Sequence, residues 1–194
     1  MNALGRRPPE KDQYISEVLG QSNTLHMLID NPVVEIFDFL VAKVPTHTAD
    51  NESPVMFNQV NLQKMSPFFK LVRQKNIKEG DFKHLFEALL ASGHVDIDSP
   101  DQFGMSAFWF FYTNNRMEEA FYLAEKHGAN MNHIDNYGVF PLKKELYSGN
   151  VALFKQLLEK GANPNMIDEF QRTVLHLACD YAHRKDYKEV LRLL

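Results

Sequence analysis

Asp135-Asn-Tyr-Gly138 leads into Phe140-Pro141-Leu142, runs on through Val151-Ala-Leu-Phe-Lys-Gln-Leu-Leu158, and closes on Gly161-Ala-Asn163 and Asn165. The same order of residues starts again at Asp168, 33 positions after Asp135, where Glu-Phe-Gln-Arg leads to Thr173-Val-Leu-His-Leu-Ala178. One copy earlier stands Asp101-Gln-Phe-Gly104, followed by Gly128-Ala-Asn130 and Asn132. Self-similarity at a fixed period in this range marks a stacked-repeat architecture. Each unit is one supersecondary element that buries its apolar face only against its neighbours. Such an array offers an extended surface for holding something rather than an enclosed pocket for chemistry.

The logic of one unit is legible in its residues. Val151, Leu153, Phe154, Leu157 and Leu158 recur at helical spacing and make one broad apolar face. Gly161 follows, as suits a residue that reaches left-handed dihedrals at a helix end. Gly149-Asn150 turns the chain before that helix. At the head of the preceding helix a Ser or Thr can accept from the unpaired N–H groups, and Pro in the first turn costs little.

These residues resemble the ankyrin repeat. Thr173-Val-Leu175-His176-Leu-Ala178 is close to that family's Thr-Pro-Leu-His-x-Ala box. Phe140-Pro141-Leu142 keeps the Pro and Leu, Ser106-Ala107-Phe108 holds the place in the Asp101 copy, and Ser66-Pro67-Phe68 opens a further copy near Asn61. That copy closes on Leu89-Leu90 and Gly93, with extra residues around 76–81 placed between its two helices. A worn copy is read at Thr24-Leu25-His26-Met-Leu28, followed by Pro32 to Leu40.

The resemblance implies an all-α fold, an ankyrin-repeat solenoid of helix-turn-helix layers with short β-hairpin fingers. The expected organisation is an N-terminal arm at 1–21, a degenerate capping repeat plus irregular loop at 22–60, and repeats at 61–100, 101–134, 135–167 and 168–194. The stretch 45–57 is expected to be largely irregular. Val190, Leu191 and Leu194 are expected to lack a covering layer, which reads as an incomplete last repeat in the front part of a longer protein.

Composition agrees. Of 194 residues 44% are hydrophobic, enough for a continuous core. A net charge of −4 lacks the basic footprint of a nucleic-acid binder. The longest apolar run, Ala107 to Tyr112, is far too short to span a bilayer. The first residues have no apolar segment of a secretory signal. A single cysteine, Cys179, forms no internal disulfide and suits a reducing, cytoplasmic setting.

In the family, hairpin tips and inner helices face the partner. Here those positions are apolar: Phe103, Tyr137 and Phe170 lie two residues after each repeat's Asp, Ile134 and Ile167 precede it, and Met65, Met105 and Val139 follow the turn. These eight are the candidate partner-binding residues, since aromatic anchors dominate many interfaces and exposed apolar patches mark contacts. The plainer reading is that a hairpin Ile or Phe tucks under its neighbour as a strut. Catalytic readings are weaker. His176, Cys179 and Asp180 form a Cys–His combination on one helix, but His176 is the box histidine and Cys179 is assigned to the buried seam. His127, His133 and Asp135 include a loop histidine and the hairpin Asp, so no metal is assigned, and no phosphate loop or nucleophile elbow occurs. No cofactor is expected. Two function classes remain. One is a scaffold or adaptor that binds another protein within a larger assembly, without nucleic acid or membrane insertion. The other is a regulatory ankyrin module of a longer enzyme or channel.

Overall fold

The structure, a computed structural model, describes residues 24–30, 32–43, 55–181 and 187–194. The arm expected at 1–21 and the loop at 45–54 lie outside the described residues, as do residues 182–186, where the last copy runs longer in sequence than the others. The chain divides into two compact units, residues 1–99 and 100–194.

The first unit holds α1 (Thr24–Asp30), α2 (Val34–Lys43), α3 (Val55–Asn58), α4 (Pro67–Arg73) and α5 (Glu79–Ala91). Helix α4 starts where its chemistry says it should. The Ser66 hydroxyl accepts from the Phe69 N–H at 3.2 Å, and Pro67 occupies the first turn. Helix α1 lies on α4 and α2 on α5, so the worn sequence at 24–43 forms a helix pair stacked in layer fashion. Leu25, Ile29, Phe37 and Leu40 are buried there, and Phe68 stacks on Phe86 at 5.4 Å.

Two expectations need correction. Val55–Asn58 is helical, not irregular. Phe57 is fully buried, and the Asn58 side chain ties the segment to the loop after α5. It donates to the His94 carbonyl at 2.9 Å and accepts from the Asp96 N–H at 2.7 Å. The connection between α4 and α5 is also shorter than expected. Glu79 and Asp81 form the first turn of α5, where acidic residues complement the helix dipole.

The second unit holds α6 (Ala107–Thr113), α7 (Met117–His127), α8 (Pro141–Ser148), α9 (Val151–Glu159), α10 (Val174–Asp180) and α11 (Tyr187–Leu193). They pair as α6–α7, α8–α9 and α10–α11, with α10 on α8 and α11 on α9. Helix α6 is capped by Ser106, whose hydroxyl accepts from the Trp109 N–H at 3.3 Å. Its aromatic run buries Phe108, Trp109, Phe111 and Tyr112; Trp109 stacks on Tyr112 at 5.8 Å and Phe108 meets Phe121 edge-on at 6.3 Å. Gly149 in the left-handed region ends α8, and the Asn150 side chain caps α9 by accepting from the Leu153 N–H at 3.1 Å. Phe154 and Leu157 carry the fully buried face of α9. The Tyr187 hydroxyl donates to the Leu146 carbonyl at 2.6 Å and ties α11 to α8.

Here too the structure departs from expectation at two places. His127 closes α7 as its last residue and does not sit in a loop. Val190 is buried, whereas Leu191 is half-buried and Leu194 exposed. Among the described residues there is no strand, only an isolated antiparallel bridge between Ile167 and Thr173. The fold is the all-α ankyrin type, and its fingers are turns closed by side chains rather than β-ladders.

Candidate protein-interaction surface

One carboxylate or amide builds every finger. Asp135 Oδ1 accepts from the N–H groups of Tyr137 and Val139 at 2.9 Å each. Asp101 does the same for Phe103 and Met105, Asp168 for Phe170 and Arg172, and Asn61 for Gln63 and Met65. The backbone repeats as strictly: the Asp135 N–H donates to the Val139 carbonyl and the Gly138 N–H to the Asp135 carbonyl, each at 3.0 Å, with counterparts in the other three turns. An Asx side chain replaces the ladder a hairpin would otherwise need. The fourth turn residue is therefore held at positive φ in all four copies, as Lys64, Gly104, Gly138 and Gln171.

Adjacent layers are linked through the fourth box position. Trp109 stands there in the Asp101 copy, and its Nε1 donates to Asp135 Oδ2 at 3.1 Å. Lys143 stands there in the next copy. Its buried ammonium donates to the Gly138 carbonyl at 3.0 Å and to Glu169 at 3.2 Å, with Asp168 at 3.7 Å. Two successive layers thus reach the Asp of the following finger, a link that the sequence signals only once the box positions are aligned. The asparagines of the Gly-Ala-Asn-x-Asn signature serve the loops: Asn130 and Asn163 accept from the N–H of Asn132 and Asn165, and Asn132 also accepts from the Asn163 N–H at 2.8 Å.

Asp168 is the electrostatic centre of the last finger. Burial pushes its carboxyl up, but hydrogen bonds from the Arg172 backbone and guanidinium and from the Phe170 N–H outweigh this and bring it down to about 2. Arg172 also lies over the Phe170 ring at 5.1 Å. Behind the fingers, Glu145 is buried between the Lys144 ammonium at 2.7 Å and the Ser148 hydroxyl at 3.2 Å, and burial pushes the Tyr112 phenol up beside it.

Of the eight candidate residues, Tyr137 is 71% exposed, Phe170 68% and Phe103 40%. Ile134 and Ile167 are also exposed, while Met105 and Val139 are half-buried. Met65 is only 7% exposed and is not a surface residue. Helix α1 explains this: the His26 Nε2 donates to the Met65 carbonyl at 2.9 Å, so the capping layer covers the position. Reading the sequence missed other exposed residues. Val60 precedes Asn61 as Ile134 and Ile167 precede their Asp, a signal that was available. Leu62, fully exposed on the first finger, stands one place off the aromatic register. Tyr147 on α8, an inner-helix position that the sequence offers as the alternative docking place, is exposed and meets Tyr181 edge-on at 5.9 Å.

The residues considered for catalysis are placed otherwise. His176 Nδ1 accepts from the Thr173 N–H at 3.2 Å and lies 2.8 Å from the Thr173 hydroxyl, an N-terminal box for α10. Cys179 is exposed, which corrects its assignment to a buried seam. Val174, Leu177 and Ala178 take the buried side of α10, leaving Leu175, His176 and Cys179 on its open side. His133 Nε2 lies 2.7 Å from the Gly104 carbonyl and Asp135 is committed to its turn and to Trp109. Among the described residues no group of three or more His, Cys, Asp or Glu is placed to hold a metal ion, and no helix is long and apolar enough to cross a membrane.

Comparison with known proteins agrees with this geometry. A family model for ankyrin repeats (3 copies) matches residues 74–168. The ankyrin repeat protein nuc-2 of Neurospora crassa is 35% identical over 77 residues, which is 39% of this chain and 7% of that protein. The chain therefore spans a small fraction of that relative's length. The crystal structure of EF0377, an ankyrin repeat protein, superposes with a TM-score of 0.56 at 18% identity, covering 94% of this chain and 90% of the other. With four fingers built alike and successive box positions linked to the next finger, the chain carries ankyrin repeats, matched over residues 74–168.

Proposed function

We propose that this chain is a protein-interaction module that holds a protein partner, within a larger assembly, through the fingers and inner helices of residues 100–194 and carries out no chemistry of its own. Ankyrin repeats in general mediate contacts between proteins through such extended surfaces. The observation that carries the reading is the recurrence of Phe103, Tyr137 and Phe170, all exposed, at one position of three turns that are closed by Asp carboxylates and need no aromatic for their own stability. Aromatic anchors on rigid turns supply area at low entropic cost. The residues support a reducing intracellular setting, with a lone exposed thiol.

Replacing Phe103, Tyr137 and Phe170 together with Ser tests this. Partner affinity, measured by titration calorimetry on the captured complex, should fall by more than about 2 kcal/mol, or roughly thirtyfold. The melting temperature should stay nearly unchanged. A large drop in melting temperature with affinity intact would make the three residues finger struts and move the partner to Thr113, Asn114, Tyr147, Ser148 and Tyr181.

The second reading is a regulatory ankyrin module of a longer enzyme or channel. It is favoured by the much greater length of the Neurospora relative, of which this chain matches 7%.

A further inference from the structure

The finger pair formed by 135–139 and 168–172 differs from the pair before it. Between 101–105 and 135–139, the Asn136 N–H donates to the Phe103 carbonyl at 3.0 Å and the Asn136 side chain donates to the Gln102 carbonyl at 2.9 Å. The corresponding donor in the next finger is Glu169. Its N–H turns to its own carboxylate, so the bond to the Tyr137 carbonyl is not made. One oxygen of that carboxylate meets Lys143 from beneath. The side chain stays half-exposed against Gly138, whose chain neighbour Tyr137 and Glu169's own neighbour Phe170 are the two most exposed aromatics of the described residues in the unit.

This spot is rich in acceptors and poor in donors. Asp135, Asp168, Glu169 and Asp180 set four carboxylates against two cations. Lys143 is buried below, and Arg172 is held by Asp168 at 2.9 Å with Asp180 at 3.7 Å. A Lys ammonium is a compact point donor, whereas guanidinium is planar, stacks on aromatic faces and donates in a fork. The protein's own Arg172 shows the fit, lying over Phe170 while forking onto Asp168.

We infer that the exposed tips of these two fingers, at Glu169 and its aromatic neighbours Tyr137 and Phe170, receive an arginine side chain of the partner protein, stacked on an exposed aromatic face and donating to the Glu169 carboxylate and the Tyr137 carbonyl. The inference rests on the reading of the fingers as partner-facing and adds the chemistry of what they face. Apolar neighbours such as Ile134 and Ile167 suit aliphatic side chains beside that arginine.

The test uses a fluorescent extended peptide of alternating leucine and arginine, a citrulline counterpart that keeps the shape without the charge, and a glutamate counterpart. Anisotropy titration should show the arginine peptide binding at least about tenfold more tightly than either counterpart. Glu169→Gln should remove about that factor and Tyr137→Ser a comparable one, with circular dichroism and melting temperature retained. Glu118→Gln, which removes the same charge from the exposed start of α7, should change nothing. Equal affinity for arginine and citrulline peptides, no binding of the arginine peptide, or equal losses from Glu169→Gln and Glu118→Gln would each overturn the inference. The triple serine variant reads the finger surface separately: partner loss there, with no arginine preference here, sinks the arginine site and leaves the interaction surface standing.

Discussion

At the scale of single residues, the fourth position of each turn is where sequence and backbone are most tightly bound. Gly104 and Gly138 sit at φ near +70°, and a side chain at either would meet the next finger. The obstacles differ. At Gly104 an added Cβ would stand 2.7 Å from the Asn136 backbone nitrogen, which cannot swing away; at Gly138 it would meet the end of the flexible Glu169 side chain. Gly104→Ala should therefore cost about 2–3 kcal/mol and Gly138→Ala about 1 kcal/mol in chemical denaturation. Gln171 holds the same place in the last finger at φ 60°, so Gln171→Gly should be neutral or stabilising by about 0.5 kcal/mol. Equal costs at the two glycines would show that the fingers shift freely against each other. The Asp-x-x-Gly spacing made these turns legible in the sequence. The burial of Met65 was not, because the helix that covers it lies some forty positions earlier in the chain and is tied to it through His26.

At the scale of elements, caps and helix starts followed from local chemistry, as at Ser66, Pro67 and Ser106, and the helix pair at 24–43 followed from a faint echo of the box. What local chemistry could not supply was the helical turn at Val55–Asn58, which exists through Phe57 burial and the bonds of Asn58 to 94–96. The docking of α1 carries a titratable weak point. His26 is 4% exposed; its Nε2 must carry the proton given to the Met65 carbonyl, and its buried Nδ1 has no partner. Burial lowers its pKa and the Lys70 ammonium adds to that, while the Met65 carbonyl and Asp30 oppose. Arg73 from α4 is a further cation close to Met65, and α3 brings no titratable group. Protonation favours the unfolded form, so this contribution is complete above about pH 6.5 and declines as the pH falls through the lowered folded value. Amide exchange corrected for intrinsic rates should show α1 losing protection between about pH 7 and 5. His26→Gln, which keeps a donor for Met65 without titrating, should remove that trend. A trend unchanged in the variant would assign it elsewhere.

At the scale of the molecule, the period of the sequence predicted the layers and their order, whereas the exposure of each finger residue depended on what the neighbouring layer covers. That is why the aromatic register was legible at 103, 137 and 170 while Leu62 and the open face of Cys179 were not. The same dependence governs stability. In residues 100–194 α8 lies between α9 and α10, α9 also meets α11, α11 is bonded back to Leu146, and Lys144 over Tyr112 and Lys160 over Phe121 join α6–α7 to the next pair. Phe154 is fully buried in the middle layer. Phe154→Ala should cost about 3–5 kcal/mol, as removal of a buried ring does. In a stack held by nearest-neighbour interfaces the damage should also be graded. Amide protection should fall most over 141–159, less over 174–180 and 187–193, and least over 107–113, where the aromatic stacking of α6 and the link from Trp109 to Asp135 remain. A uniform loss across all six helices would mean that the unit melts as one indivisible core, and the layer-by-layer account of its stability would fail.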